Sequence, residues 1–124
     1  MNRYDPTEAP LPSAWLALTE SERLALVEQF HIDEARALPS ISAHAAIHAA
    51  VETQLALNIE PVVQTMGRVI SEGLSRHEAI HAIGYVLAEH LHNLMQGGVA
   101  KGKENEAYYA LLKAFTIAQW HGVR

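Results

Sequence analysis

Cysteine is absent from the 124 residues. That excludes a disulfide framework, thiolate nucleophiles and any zinc site built on sulfur. Basic charge is sparse: nine Lys and Arg stand against fourteen Asp and Glu, a net charge of −5. The nine are scattered, so neither nucleic acid nor an anionic membrane surface is an expected partner. No apolar run approaches the ~18 residues of a spanning helix, and Met1 to Pro10 hold no signal-peptide core. The expectation is a soluble, cytoplasmic protein. Period-two alternation is also missing, so no strand is predicted. No Gly-rich elbow surrounds a serine, which leaves nucleophilic catalysis without a candidate.

Alanine and histidine are what the chain has in excess, with eight of the latter. Apolar residues make up 49%, enough for a packed core rather than disorder. The length fits one helical domain over 1–124. Within it, residues 1–18 read as an extended arm, because Pro6, Pro10 and Pro12 disfavour a helix there. Residues 19–120 read as a helical core of about five helices. Thr19 and Glu22 have capping-box spacing and open helix 1, which carries Leu24, Val27, Phe30 and Ile32 and runs to about Leu38, where Pro39 stops it. Helix 2 runs from Ser40 or Ser42 to about Asn58. Helix 3 starts at Pro61, with Val62, Val63, Met66, Val69 and Ile70 as its core face, and Gly73 ends it. Helix 4 runs from Ser75 to Gly97, with Ile80, Ile83, Leu87, Leu91 and Leu94 as its stripe. Helix 5 spans about Glu104 to Trp120, and Tyr108, Leu111, Leu112, Phe115 and Ile117 are its candidates for burial.

One motif is written twice. Ser42-Ala-His-Ala-Ala-Ile-His-Ala returns 33 residues later as Ser75-Arg-His-Glu-Ala-Ile-His-Ala. A period near 33 is typical of helix-turn-helix repeats. Two architectures fit: a right-handed stack of helical hairpins, like a short α-solenoid, or a compact bundle.

Each copy places two histidines four residues apart, His44 with His48 and His77 with His81. At that spacing they share a helix face with Cβ atoms ~5–6 Å apart. Val51 and Leu55 fall on the face of the first pair. Gly84 and Ala88 lie beside the second, and such small residues let a neighbouring helix approach. If the two pairs face each other, four imidazoles converge and can ligate zinc or another divalent transition metal. Glu52, one turn past His48, and Glu78, beside His77, are further candidate ligands. The blander reading is that each pair is structural, satisfied by carbonyls or partner side chains.

His77-Glu78-Ala79-Ile80-His81 also matches H-E-x-x-H, in which the two histidines bind zinc and the acid acts as general base. Three features weaken a hydrolase reading. Leu87 stands where an extended motif needs its third histidine. Ala45 replaces the acid in the sister copy. Glu78 also has the spacing of a capping box with Ser75. Enzymatic activity is left open. Glu28-x-x-His31 and Glu89-x-x-His92 have the spacing of di-iron bundles but read as solvent-facing, and His90 and His121 show no partner. Gly97-x4-Gly102-Lys103 lacks both the Ser/Thr and the preceding strand of a phosphate-binding loop.

Three stretches carry a family resemblance: Tyr4-Asp5-Pro6 leading to Trp15-Leu-Ala-Leu-Thr-Glu; His44-Ala-Ala-Ile-His-Ala-Ala-Val-Glu-Thr-Gln-Leu; and Glu72-Gly-Leu-Ser-Arg-His-Glu-Ala-Ile-His-Ala-Ile-Gly. Over most of residues 4–95 the chain resembles a group of short bacterial proteins of unknown function. The resemblance implies a helical, cytoplasmic protein and transfers no catalytic residue. Two functions compete at this level. One is a metal-binding helical domain. The other is a helical-repeat module that binds a protein partner or a second copy of itself, with structural histidines.

Overall fold

A computed structural model describes residues 1–33 and 41–123, and the structural statements below concern those residues. All regular structure among them is helical: α1 (Pro12–Leu16), α2 (Glu20–Asp33), α3 (Ile41–Ala56), α4 (Glu60–Ser71), α5 (Arg76–Met95), α6 (Glu104–Ala114) and α7 (Ile117–Val123). None of these helices is long and apolar enough to cross a membrane. The expected stop at Leu38-Pro39 and a start at Ser40 lie outside the described residues.

Local chemistry sets most boundaries. Pro12 supplies the pre-set φ of a first helical turn, so the arm contains one short helix rather than being extended throughout. Thr19 and Glu22 form a reciprocal capping box: the Thr19 N–H donates to Glu22 Oε1 at 2.8 Å and the Glu22 N–H to Thr19 Oγ1 at 3.1 Å. Arg23, in the first turn of α2, donates to the carbonyls of Trp15 and Leu16 that end α1. Asn58 adopts φ 57° and closes α3; Gly73 at φ 119° follows α4. Both are residues that enter the left-handed region at low cost. The expected helix 5 divides in two. Phe115 turns extended and Thr116 starts α7 by bonding to Gln119, which tucks the Phe115 ring into the core.

Helix α3 packs against both α2 and α5, while α4 and α6 cover α5 and each other. The larger core gathers Val51, Val62, Val69, Ile80, Ile83 and Leu112. A second cluster places Tyr4 and Trp15 of the arm against Val27, Ala45 and Ala49. The Trp15 indole N–H donates to Thr53 Oγ1 at 3.0 Å, which ties α1 to α3. Some expected faces are rotated. Val63, Ile70, Leu91 and Ile32 are exposed, and α4 buries Thr65 instead, its hydroxyl donating to the Pro61 carbonyl.

Candidate metal centre

The crossing of α3 and α5 is close because Gly84 has no side chain. A Cβ built there meets Ile47 Cγ2 at 2.9 Å. The two helices run antiparallel: Glu52 meets Arg76 at one end of the crossing, and His44 meets His81 further along. Helix α2, which also packs against α3, brings in His31, one turn beyond Val27.

His31, His44, His48 and His81 each offer one ring nitrogen, and these four atoms lie within 4.8 Å of one another. His77 adjoins them. Its Nε2 is 3.2 Å from His81 Nε2, the same separation as between His44 Nε2 and His81 Nε2. His48 is central, with ring centroids 5.4 Å from His31, 5.7 Å from His77 and 5.2 Å from His81. His31 and His48 are buried, and the other three are partly exposed.

Burial pushes His48 down to about 2, and the neighbouring rings of His81, His31, His77 and His44 act in the same direction. A proton there would be poorly hydrated and repelled, so His48 is a neutral imidazole at physiological pH. Neutral imidazole is the ligating form.

Hydrogen bonds select the tautomers of the two buried rings. His31 Nδ1 lies 2.8 Å from the Val27 carbonyl, which can only accept, so Nδ1 carries the proton and Nε2 keeps a lone pair. That Nε2 is buried and has no hydrogen-bond partner among the described residues. The Tyr4 hydroxyl donates to Glu52 Oε2 in a very short contact. Having spent its proton, the Tyr4 oxygen accepts from His48 Nε2 at 2.7 Å. His48 Nδ1 is therefore the lone-pair nitrogen, and it too is buried without a hydrogen-bond partner among the described residues. Behind Glu52, Arg76 donates to Oε1 at 2.7 Å and Oε2 at 2.8 Å, and to the Pro6 carbonyl at 2.9 Å. Burial first, and the Glu52 charge second, raise the Tyr4 hydroxyl pKa, which keeps that proton in place. An Arg76–Glu52–Tyr4–His48 chain thus orients one ring from behind, as outer-shell carboxylates do at histidine metal sites.

Of the residues singled out from sequence, His44, His48 and His81 come together and His77 abuts them. Glu52 lies one turn away, buried and engaged by Arg76 and Tyr4. Glu78 completes the cap of α5, its Oε1 accepting from the Ser75 N–H at 3.2 Å while its own N–H donates to Ser75 Oγ at 3.1 Å. Neither carboxylate belongs to the four-nitrogen group. His31 corrects the sequence expectation: read as solvent-facing, it is fully buried. Its signal was available, since it follows Val27 by four residues on the same stripe. Tyr4 and Arg76 had no signal of this kind. His90 is likewise buried and stacks on Tyr108 at 5.3 Å.

An all-imidazole donor set suits borderline divalent transition ions, whereas Mg²⁺ and Ca²⁺ require oxygen. Comparison of the chain with protein-family models, curated proteins and solved structures found no match.

Proposed function

We propose that this protein binds a divalent late first-row transition metal, zinc foremost, through His31, His44, His48 and His81, with His77 as a fifth nitrogen at the rim. The observation that carries this reading is the convergence of four ring nitrogens within 4.8 Å. Zn–N bonds of 2.0–2.1 Å place tetrahedral donors ~3.3 Å apart. The 3.2 Å separations around His81 fit such an edge. Drawing a pair at 4.8 Å in to that edge closes about 1.5 Å, shared between two side chains and within the reach of ring rotation. Two buried lone pairs without partners among the described residues, each fixed by a hydrogen bond on the opposite ring nitrogen, support the same reading.

In this reading the duplicated segments form two helical hairpins, α3–α4 and α5–α6, stacked so that their first helices share the ion. Glu78 serves as a cap, and no water-activating role is assigned to it. The test is metal analysis of untagged protein. About one equivalent of zinc or a neighbouring ion per chain is expected, and uptake is lost when His44 and His81 are both changed to Gln. Chelated protein that takes up none of Zn²⁺, Co²⁺, Ni²⁺ or Mn²⁺ stoichiometrically would refute the proposal.

A further inference from the structure

The two ends of the α3–α5 crossing are filled differently. By the register of the repeat, offset by 33 residues, Glu52 corresponds to Tyr85 and Arg76 to Ala43. The Glu52–Arg76 end is closed by the arm, whose Tyr4 inserts an aromatic ring and sets its oxygen against His48. At the other end Ala43 and Tyr85 flank a cavity of about 430 Å³. His44, His48 and His81 form part of its wall, and His31 and His77 do not line it.

The cavity has a defined chemistry. Apart from the three imidazoles its wall includes Ile47, Ile80, Gly84 and Ala88, with Tyr85 and Trp120 supplying aromatic surface 6.4 Å apart between centroids. Among the described residues no Lys, Arg, Asp or Glu lines it, so a charge carried on the occupant's body, away from the metal, would be desolvated without a counter-ion. Its volume lies in the lower part of the range for small-molecule sites and far exceeds the ~30 Å³ of a water molecule. Closed tetrahedral shells mark structural zinc sites, whereas open positions mark sites that take exogenous ligands.

We propose that a metal in the histidine nest keeps a coordination position facing this cavity, and that the position takes a small neutral molecule with one nitrogen or oxygen donor and an aromatic body. This rests on the metal-binding reading. The occupant matches at one end of the crossing what Tyr4 supplies at the other, a ring packed on apolar walls and a heteroatom directed at the histidines.

The experiment uses full-length protein loaded with Co²⁺, whose visible bands report its ligands, titrated with imidazole and with 4-phenylimidazole. Both should shift the bands, and 4-phenylimidazole should half-saturate at a concentration at least about tenfold lower, because its phenyl group leaves water. Ala88→Trp, at an exposed position of α5 that borders the cavity, should leave cobalt uptake and the unliganded spectrum intact and abolish the phenyl preference. Cobalt retained after desalting separates ligation from extraction. Bands unmoved by either probe, equal affinities for the two, or extraction of the metal would each overturn the inference while leaving metal binding standing. Absence of cobalt uptake would remove the metal reading and this inference together.

Discussion

Tyr4→Phe isolates the hydroxyl that links His48 to Glu52. The three residues are 1%, 2% and 2% exposed, so water cannot readily replace the lost oxygen. The ring stays, with its contacts to Trp15 at 5.7 Å and Phe30 at 6.0 Å, so no large cavity is created. Glu52 retains both Arg76 hydrogen bonds, and the main cost falls on the His48 Nε2–H, which loses its acceptor. An unsatisfied buried donor costs about 1–3 kcal/mol, so metal-free protein should lose about 2 kcal/mol. With a urea dependence of about 2 kcal/mol per molar, the unfolding midpoint falls by about 1 M. The second readout is zinc affinity. With the His48 tautomer no longer fixed, affinity should fall about 10–100-fold, as for other outer-shell losses. Competition against a chelator of known affinity measures it. A midpoint within about 0.2 M of wild type together with unchanged zinc affinity would show that the Arg76–Glu52–Tyr4 chain neither supports the fold nor orients the ring.

Three further perturbations separate stability from binding. His31→Phe replaces a fully buried imidazole by an apolar ring and removes an unpartnered nitrogen; metal-free stability should stay within about 1 kcal/mol while zinc affinity drops, and a parallel loss of both would make His31 a packing residue. Acidification should destabilise metal-free protein: His48 is held down to about 2 in the fold by burial and its histidine neighbours, whereas the unfolded chain protonates near 6.5. The folded state therefore binds fewer protons below that value, and stability declines as pH falls through it, by about 2 kcal/mol between pH 7.5 and 5 from this residue alone. Urea midpoints that do not change over that interval would contradict the assignment. Gly84→Leu should push α3 from α5, costing about 2–3 kcal/mol by overpacking against Ile47 and weakening zinc binding further, whereas Gly84→Ala is milder because a helix gain of about 1 kcal/mol offsets its clash. Denaturation and metal titration of both variants check this, and an unaltered Gly84→Leu protein would mean the close crossing does not position the histidines.

The parts of the fold legible in sequence are those governed by neighbours along the chain. The boxes at Thr19–Glu22 and Ser75–Glu78, Pro61 in a first turn and Gly73 past a last one each act over a few residues, and each sits where its spacing indicates, whereas Pro12 opens a short helix in an arm expected to be extended. Helix faces were read less well because burial depends on which helix lies opposite. Val63 and Ile70 belong to a plausible apolar stripe, yet α4 turns Thr65 inward and leaves them exposed. Phe115 breaks the last helix for a similar reason: its ring enters the core that α5 and α4 build, a constraint its own segment does not carry.

The candidate site divides along the same line. A pair at i,i+4 declares a shared face, and its repetition suggested that two faces meet, so His44, His48, His77 and His81 were legible. His31 required knowing that α2 lies against α3. Tyr4 and Arg76 are 48 and 24 residues from Glu52, and no local period links them. Glu52 shows the difference most clearly: on the right helix and one turn from His48, it is a candidate ligand by sequence, because sequence gives the face of a carboxylate but not the cation, Arg76, that engages it. Its counterpart by register, Tyr85, has no arginine opposite it, since Ala43 stands where Arg76 stands in the other copy. The duplication thus repeats the imidazoles but not their surroundings. One end is charged, hydrogen-bonded and closed by Tyr4; the other is apolar and open. The difference between those ends, more than the shared motif, gives the nest a direction from which a ligand can approach.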